Sequence, residues 1–441
     1  MKQKIITSML VESDQLLPIE YTPASYVPVP DESMETDTKQ RSPIDQDRTQ
    51  QSLMQQTPKQ NISTQQPLEQ LGAKETSSAS FDIAPDELMP FHINSDRLIE
   101  INNFIQKQGL DGNVFPLAKD MSNRFYYRLM TLDKSFVIMD APFPEKPAQF
   151  VLIADFLLKQ GVRAPEIYAF DEEKGLVLIE DFGDKTFTRL LDAAFEIDLK
   201  KYHALEKLFY QTATQVLLSV TKTERPMAIE EYSTQKLLLE VEVFIDWYWP
   251  FAKGGTAPSI AKHHYMTLWQ ELFDSLPATP KSIVHRDFHA DNIIIISDPL
   301  AIKTCGVLDF QDAVWGSVVY DFISLLEDAR RDVSPDVVEH CSKLFLNAYP
   351  IEMHDALEVT AKVLAVCRHV KVIGVFTRYA LRQNNTSKCQ HLPRLWRYLE
   401  QHFKDPIFAP LSDWFAQYFP IARQYQFLTP IASTSQTKQI T

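Results

Sequence analysis

Glycine is scarce in this chain, with 11 residues in 441. That excludes a collagen-like repeat and glycine-rich linkers, and no G-x-G-x-x-G loop is present. Cysteine is scarcer still. Cys305, Cys341, Cys367 and Cys389 form no C-x-x-C pair and no metal-ligand cluster, which argues against a zinc or disulfide framework and fits a reducing compartment. Positive charge is in deficit, with a net charge of -14. Nucleic-acid binding needs basic surface to displace counterions from phosphates, so no nucleic-acid partner is expected, though a basic pocket for one anionic ligand is compatible. No uninterrupted apolar run approaches the roughly 18 to 20 residues that span a bilayer, and no membrane insertion is expected. Lys2 and Lys4 precede a short apolar stretch that Ser8 and Glu12 cut too early for a secretory leader. The expected location is the cytoplasm.

Residues 1–88 are rich in Gln, Ser, Thr, Pro and Asp and show no sustained apolar period. Such a segment cannot bury enough surface to offset its ordering entropy. It is read as a disordered tail; a tail that folds on a partner is the alternative. From Ser95 the pattern changes, with Leu98, Ile99, Ile101, Ile105 and Leu110 forming a helical stripe. Phe125 to Leu129 and Phe136 to Met139 read as strands. A helix over 148–160 ends at Gly161, and a second hairpin joins Pro165 to Phe170 with Leu176 to Ile179. Beyond Asp181 the periodicity predicts helices over 199–222, 234–248, 259–276, 319–330, 335–348, 355–382 and 391–404. The interruption at 283–310 holds two short β runs, Ile293 to Ile296 and Gly306 to Leu308. The fold class that follows is α+β in two lobes. A small antiparallel sheet lobe is expected over 93–182, a larger helical lobe over 183–425 and a flexible C-terminus over 426–441. A ligand cleft is expected near residue 181.

The chemistry concentrates in Ile283-Val-His-Arg-Asp-Phe-His-Ala-Asp-Asn292, followed by Gly306-Val-Leu-Asp-Phe-Gln-Asp312. His285, Asp287 and Asn292 reproduce the H-x-D-x-x-x-x-N spacing of a kinase catalytic loop, so the chain resembles the protein-kinase-like superfamily. Asp309 stands seventeen residues past Asn292, enough for a hairpin that returns it to the same spot. Phosphoryl transfer gathers charge on phosphate oxygens, which Mg²⁺ offsets, and this hard ion prefers oxygen ligands. Asp309 and Asn292 are therefore the expected ligands of Mg²⁺ bound with ATP. Asp287 is the expected acceptor of the substrate hydroxyl proton, and His285 a structural residue of the loop.

Asp309-Phe-Gln stands where protein kinases have Asp-Phe-Gly, and no Ala-Pro-Glu motif follows. With Trp315-Gly316 and Tyr320-Asp321, the loop resembles the aminoglycoside phosphotransferase and choline kinase branch, in which Asp321 is expected to anchor the loop. Val137-Ile-Met-Asp-Ala-Pro142, Leu308-Asp-Phe-Gln-Asp-Ala313, Glu240-Val-Glu-Val-Phe244 and Arg368-His-Val-Lys-Val-Ile-Gly-Val-Phe-Thr-Arg378 narrow the resemblance to the anomeric N-acetylmuramate/N-acetylglucosamine kinases of bacterial cell-wall recycling. It covers about residues 93–420. It implies phosphorylation of the sugar C1 hydroxyl and delivery of the α-1-phosphate to a sugar-1-phosphate uridylyltransferase. It also favours Glu240 as a sugar contact. Arg368, Lys371 and Arg378 fall close to one face of the 355–382 helix at spacings of three and seven and are the expected anion site, while His289 and Gln311, near Asp309, are expected to touch substrate or metal ligands. Trp247, Tyr248 and Trp249 are either a sugar-stacking surface or core.

The strand that carries the ATP-gripping lysine in this superfamily has Met139 in its place. Arg124 and Arg128 on the neighbouring strand are the candidate substitutes, because a guanidinium fork suits phosphate. Met121-Ser-Asn123 is a weak candidate for covering the phosphates. Glu180 and Phe182 follow from position as neighbours of the adenine. Two alternatives stay open: a kinase of another small hydroxyl compound (an aminoglycoside, an amino alcohol or homoserine) and a ligand-sensing pseudokinase.

Overall fold

β-Branched and aromatic residues between turn signals build the first half of the fold. In the computed structural model, which describes residues 95–117, 124–221, 223–298 and 300–420, five strands form one antiparallel sheet. They are β1 (Asn113–Pro116), β2 (Phe125–Met130), β3 (Ser135–Asp140), β4 (Ile167–Asp171) and β5 (Leu176–Glu180), in the order β1-β2-β3-β5-β4. Central β3 is buried from Phe136 to Asp140. Its register sets Val137 opposite Ile179 and Met139 opposite Val177. Helix α1 (Ser95–Lys107) buries Ile101, Phe104 and Ile105. Arg97 fastens it to the sheet through Asp140, at 2.6 Å.

Helix α2 (Pro147–Lys159) is inserted between the two hairpins and buries Phe150, Ile153, Ala154, Phe156 and Leu157. Pro147 opens it, where a missing N–H costs nothing. It ends as the sequence predicts. Gly161, at φ +80°, lets its own amide reach the Leu158 carbonyl and the Val162 amide reach Leu157, which satisfies the last carbonyls of the helix.

The second half is helical. Thr186 caps α3 (Phe187–Ile197), Asp198 caps α4 (Leu199–Ser219) and Ser233 caps α5 (Thr234–Val243). Each cap side chain accepts an otherwise orphaned amide. A π-helical turn at Phe244–Tyr248 leads from α5 into α6 (Trp249–Lys253), followed by α7 (Ser259–Asp274). Two small antiparallel pairs come next: β6 (Lys281–Val284) with β9 (Val314–Ser317), and β7 (Ile293–Ile295) with β8 (Cys305–Val307). The chain continues through α8 (Val319–Leu326), α9 (Pro335–Leu346), the 30-residue α10 (His354–Gln383), α11 (Leu392–His402) and α12 (Ala409–Tyr418). Helix α10 crosses the end of α5 at backbone contact. A Cβ on Gly374 would lie 2.6 Å from the Val243 carbonyl carbon, a separation no side chain tolerates, so only glycine permits this crossing.

The architecture is the expected α+β combination of a small antiparallel sheet and many helices. Six elements escape the sequence reading: β1, α3, α6, β6, β9 and α12. The expected helix over 234–248 stops at Val243, where the π-helical turn begins. Tyr248 and Trp249 are buried in an aromatic cluster with Trp396, Trp414 and Phe419, so they belong to the core. Trp247 lies under the Arg382 guanidinium. The tails at 1–88 and 426–441, and Met121 to Asn123, lie outside the described residues. Among the described residues no helix is long and apolar enough to cross a membrane.

Candidate active site

The loop between β6 and β7 is held from behind by buried Asp321 on α8. Its carboxylate accepts the amides of His285 (2.5 Å) and Arg286 (3.0 Å). Burial pushes the Asp321 carboxyl up, while His285 and the two amides oppose that rise. The His285 Nε2 lies 2.8 Å from the Leu308 carbonyl and Nδ1 accepts the Asp287 amide at 3.3 Å. These partners place the ring proton on Nε2. Arg286 has φ +75° and Asp309 φ +62°, conformations that cost a non-glycine residue on the order of 1 kcal/mol or more and that persist where the surroundings over-determine them. The turn at Arg286 sends its guanidinium back into the protein, and Asp287 is left exposed.

The β7–β8 hairpin returns Asp309 to this loop. Ile293 pairs with Val307, and the Leu308 amide donates to the Asn292 carbonyl at 2.9 Å. The hairpin packs tightly under the sheet, because a Cβ on Gly306 would lie 2.7 Å from the Phe182 ring. Asn292 donates its Nδ2–H to the Asp287 carbonyl at 3.0 Å, which commits its nitrogen and leaves Oδ1 as the ligand-type atom. Gln311 donates to Asp309 Oδ1 at 2.8 Å. An amide oxygen beside a carboxylate is a hard donor set, and it fits a hard divalent cation.

Two cavities meet at this point. One, of about 330 Å³, is lined by Val137, Phe150, Ile179, Glu180, Phe182, Arg128, Asp181 and Asp184 among others. The second, of about 510 Å³, is lined by Asp287, His289, Arg330, Arg368, Lys371, Arg378 and Lys388, with Arg124, Arg286, Asp291 and Asp312. Asn292 and Asp309 line both. Asp287 lines only the second.

The two arginines of β2 and its approach therefore separate. Arg128 borders the first cavity, ion-paired with Asp181 (2.7 Å) and Asp184 (2.9 Å). Arg124 borders the second, with Glu145 at 3.7 Å and Asp312 at 3.6 Å. Met139 is fully buried, and the β3 residue that reaches the first cavity is Val137. Glu180 lines that cavity with its carboxylate engaged by Arg163, at 2.5 Å.

Glu240, expected at the sugar, lies elsewhere. It lines neither cavity and is buried behind the catalytic loop, where it accepts from Arg286, Tyr232 and Lys371 (3.1 Å). Burial would raise its carboxyl, yet Lys371 and Arg286 carry it down to about 2. The physical reason for the misplacement is helix phase. One face of α5 serves the loop, while Glu242 projects outward to Lys262 at 2.8 Å. Gln311 likewise meets Asp309 without lining either cavity. Buried His289 accepts a hydrogen bond from Arg330 at 2.9 Å through Nε2. Burial and Arg330 push its imidazole well down, so the ring is neutral. Arg286, Arg330 and Lys388 are among the charged cavity-lining residues that the sequence reading missed. Arg286 is adjacent to Asp287 and was the accessible one, but a lone arginine beside a motif carries no signal of its direction.

A model of the phosphotransferase enzyme family matches residues 114–352. An N-acetylmuramate/N-acetylglucosamine kinase of Caulobacter vibrioides is 29% identical over 69% of this chain and 92% of its own length. The kinase of the same name from Pseudomonas putida is 30% identical over 69% of this chain and 88% of its own. Among solved structures, a choline kinase from Streptococcus pneumoniae covers 70% of this chain and 100% of its own, with a TM-score of 0.50 at 14% identity. That likeness concerns the fold. With the catalytic loop, the returning hairpin and the paired cavities, these matches establish that the chain belongs to the phosphotransferase enzyme family and transfers phosphoryl groups to a hydroxyl.

Proposed function

We propose that this enzyme transfers the γ-phosphate of Mg-ATP to the anomeric C1 hydroxyl of N-acetylmuramate or N-acetylglucosamine. The observation that carries the reading is the sharing of Asn292 and Asp309 between two cavities, with Asp287 on one side only. The apolar cavity under the sheet takes the nucleotide and the charged cavity takes the acceptor. Asp287 orients the acceptor hydroxyl and receives its proton. Asn292 and Asp309 would hold magnesium, which supplies charge compensation at the phosphate oxygens. We assign the nucleotide side to a lobe at 93–182 and the acceptor side to a lobe at 183–425, in a cytoplasmic enzyme. Its α-1-phosphate product suits a sugar-1-phosphate uridylyltransferase and cell-wall recycling.

Charge supports this acceptor over its rivals. The second cavity is lined by seven Lys and Arg residues against four aspartates. A cationic acceptor such as choline or an aminoglycoside would meet like charge, which costs several kcal/mol. The carboxylate of N-acetylmuramate would meet Arg368, Lys371 and Arg378, and neutral N-acetylglucosamine would be tolerated. The test is steady-state kinetics on both amino sugars, homoserine, choline and an aminoglycoside. The amino sugars should exceed the cationic acceptors in kcat/KM by roughly 10²-fold or more. A preference for choline or the aminoglycoside would overturn the assignment.

A further inference from the structure

Away from both cavities, two helix ends and the middle of a third helix bring together one carboxylate and two imidazoles. Glu327 directly follows α8, His369 is on α10 and His402 is the last residue of α11. His369 Nε2 stands 2.5 Å from Glu327 Oε2, and His402 Nε2 stands 2.9 Å from Oε2 and 3.0 Å from Oε1. One ligand-type atom from each residue lies within 4.8 Å of the other two. Among the described residues no Lys or Arg pairs with this carboxylate; its ion-pair partners are the two imidazoles.

We propose that Glu327, His369 and His402 bind one first-row divalent metal ion, with zinc the ion that best suits the donor set. Two imidazole nitrogens and one carboxylate are a common three-ligand zinc set, completed by water. A tetrahedral ion with bonds of about 2.0–2.1 Å holds neighbouring donors about 3.3 Å apart. Each imidazole nitrogen therefore needs to move less than an ångström from the carboxylate to receive it. His369 is fully buried and its Nδ1 has no partner, so the ring engages polar groups only through the nitrogen turned into the cluster. Tyr398 stacks on that ring at 5.0 Å and 14°, which fixes its plane. Two helix C-termini, those of α8 and α11, meet here, and their dipoles favour a cation.

The ion would tie α8, α10 and α11 together beside Arg368, whose guanidinium donates to the Glu327 carbonyl at 3.1 Å and lines the acceptor cavity.

The test uses the full chain, stripped with chelator and then dialysed against zinc in excess magnesium. Wild type should retain about one equivalent of zinc by elemental analysis and gain about 5 °C in Tm. Cobalt(II) should give the visible bands of a tetrahedral site. His402→Ala, at a partly exposed helix end, should weaken zinc binding by at least about 10-fold and lose the Tm gain; Glu327→Gln, which keeps the side chain's shape, should do the same. Zinc below about 0.1 equivalent with an unmoved Tm would overturn the proposal. So would equal zinc binding by wild type and both variants.

Discussion

The two cavities that meet at Asn292 and Asp309 are built from different materials. The nucleotide-side cavity has mainly apolar walls from the sheet and hairpin, such as Val137, Phe150, Ile179, Ile294 and Leu308, and its main strand arginine is already neutralised by Asp181 and Asp184. Eleven of the sixteen residues around the acceptor-side cavity are charged. A planar base needs apolar faces and backbone hydrogen bonds, whereas a polar acceptor needs side chains of chosen charge. Substitutions on the two sides should therefore separate in which substrate they affect.

The largest effect belongs to the acceptor side. Asp287→Asn should lower kcat by roughly 10²- to 10⁴-fold with Tm unchanged; near-normal turnover would remove Asp287 as the base. Next comes the buried support behind the loop. Glu240→Gln leaves Arg286 and Lys371 without their carboxylate, and should cost about 3–5 kcal/mol of stability at neutral pH by denaturant unfolding. The carboxyl ordinarily titrates near 4.5 and sits at about 2 here. Its contribution is therefore complete above pH 4.5 and is lost as pH falls through about 2. Between those values wild type should lose on the order of 3 kcal/mol more than the variant. Parallel acid curves would contradict the role assigned to Glu240.

Arg368→Ala should raise KM for N-acetylmuramate about 10- to 100-fold and leave KM for ATP and N-acetylglucosamine nearly unchanged. A matching rise for ATP would erase the distinction between the cavities. The smallest effect should come from Arg128→Ala, with KM for ATP rising only a few-fold because the guanidinium is already shared with two aspartates. An unchanged value would confine Arg128 to structure.

The same contrast governs what could be read in the sequence. Phosphoryl transfer demands particular side chains at fixed spacing, so Asp287, Asn292 and Asp309 were visible, as was the hairpin that joins them. The proposed nucleotide side would rely on backbone and shape, and position alone pointed to Glu180 and Phe182, which line that cavity. Strand β1 has only four residues, most of them exposed, and so shows no alternation. Glu240 was expected at the sugar but lies behind the loop, because a sequence shows which face of α5 a residue shares, not what packs against that face. Glu327, His369 and His402 are separated by 42 and 33 positions and form no motif; only the helix packing brings them together.

The account turns on where the phosphate goes. Phosphorus NMR of the chain incubated with Mg-ATP and N-acetylmuramate reads that directly. An anomeric α-1-phosphate signal, absent with Asp287→Asn, is the predicted result. Phosphate on another sugar hydroxyl, or no sugar product from an enzyme that phosphorylates choline under the same conditions, would contradict it.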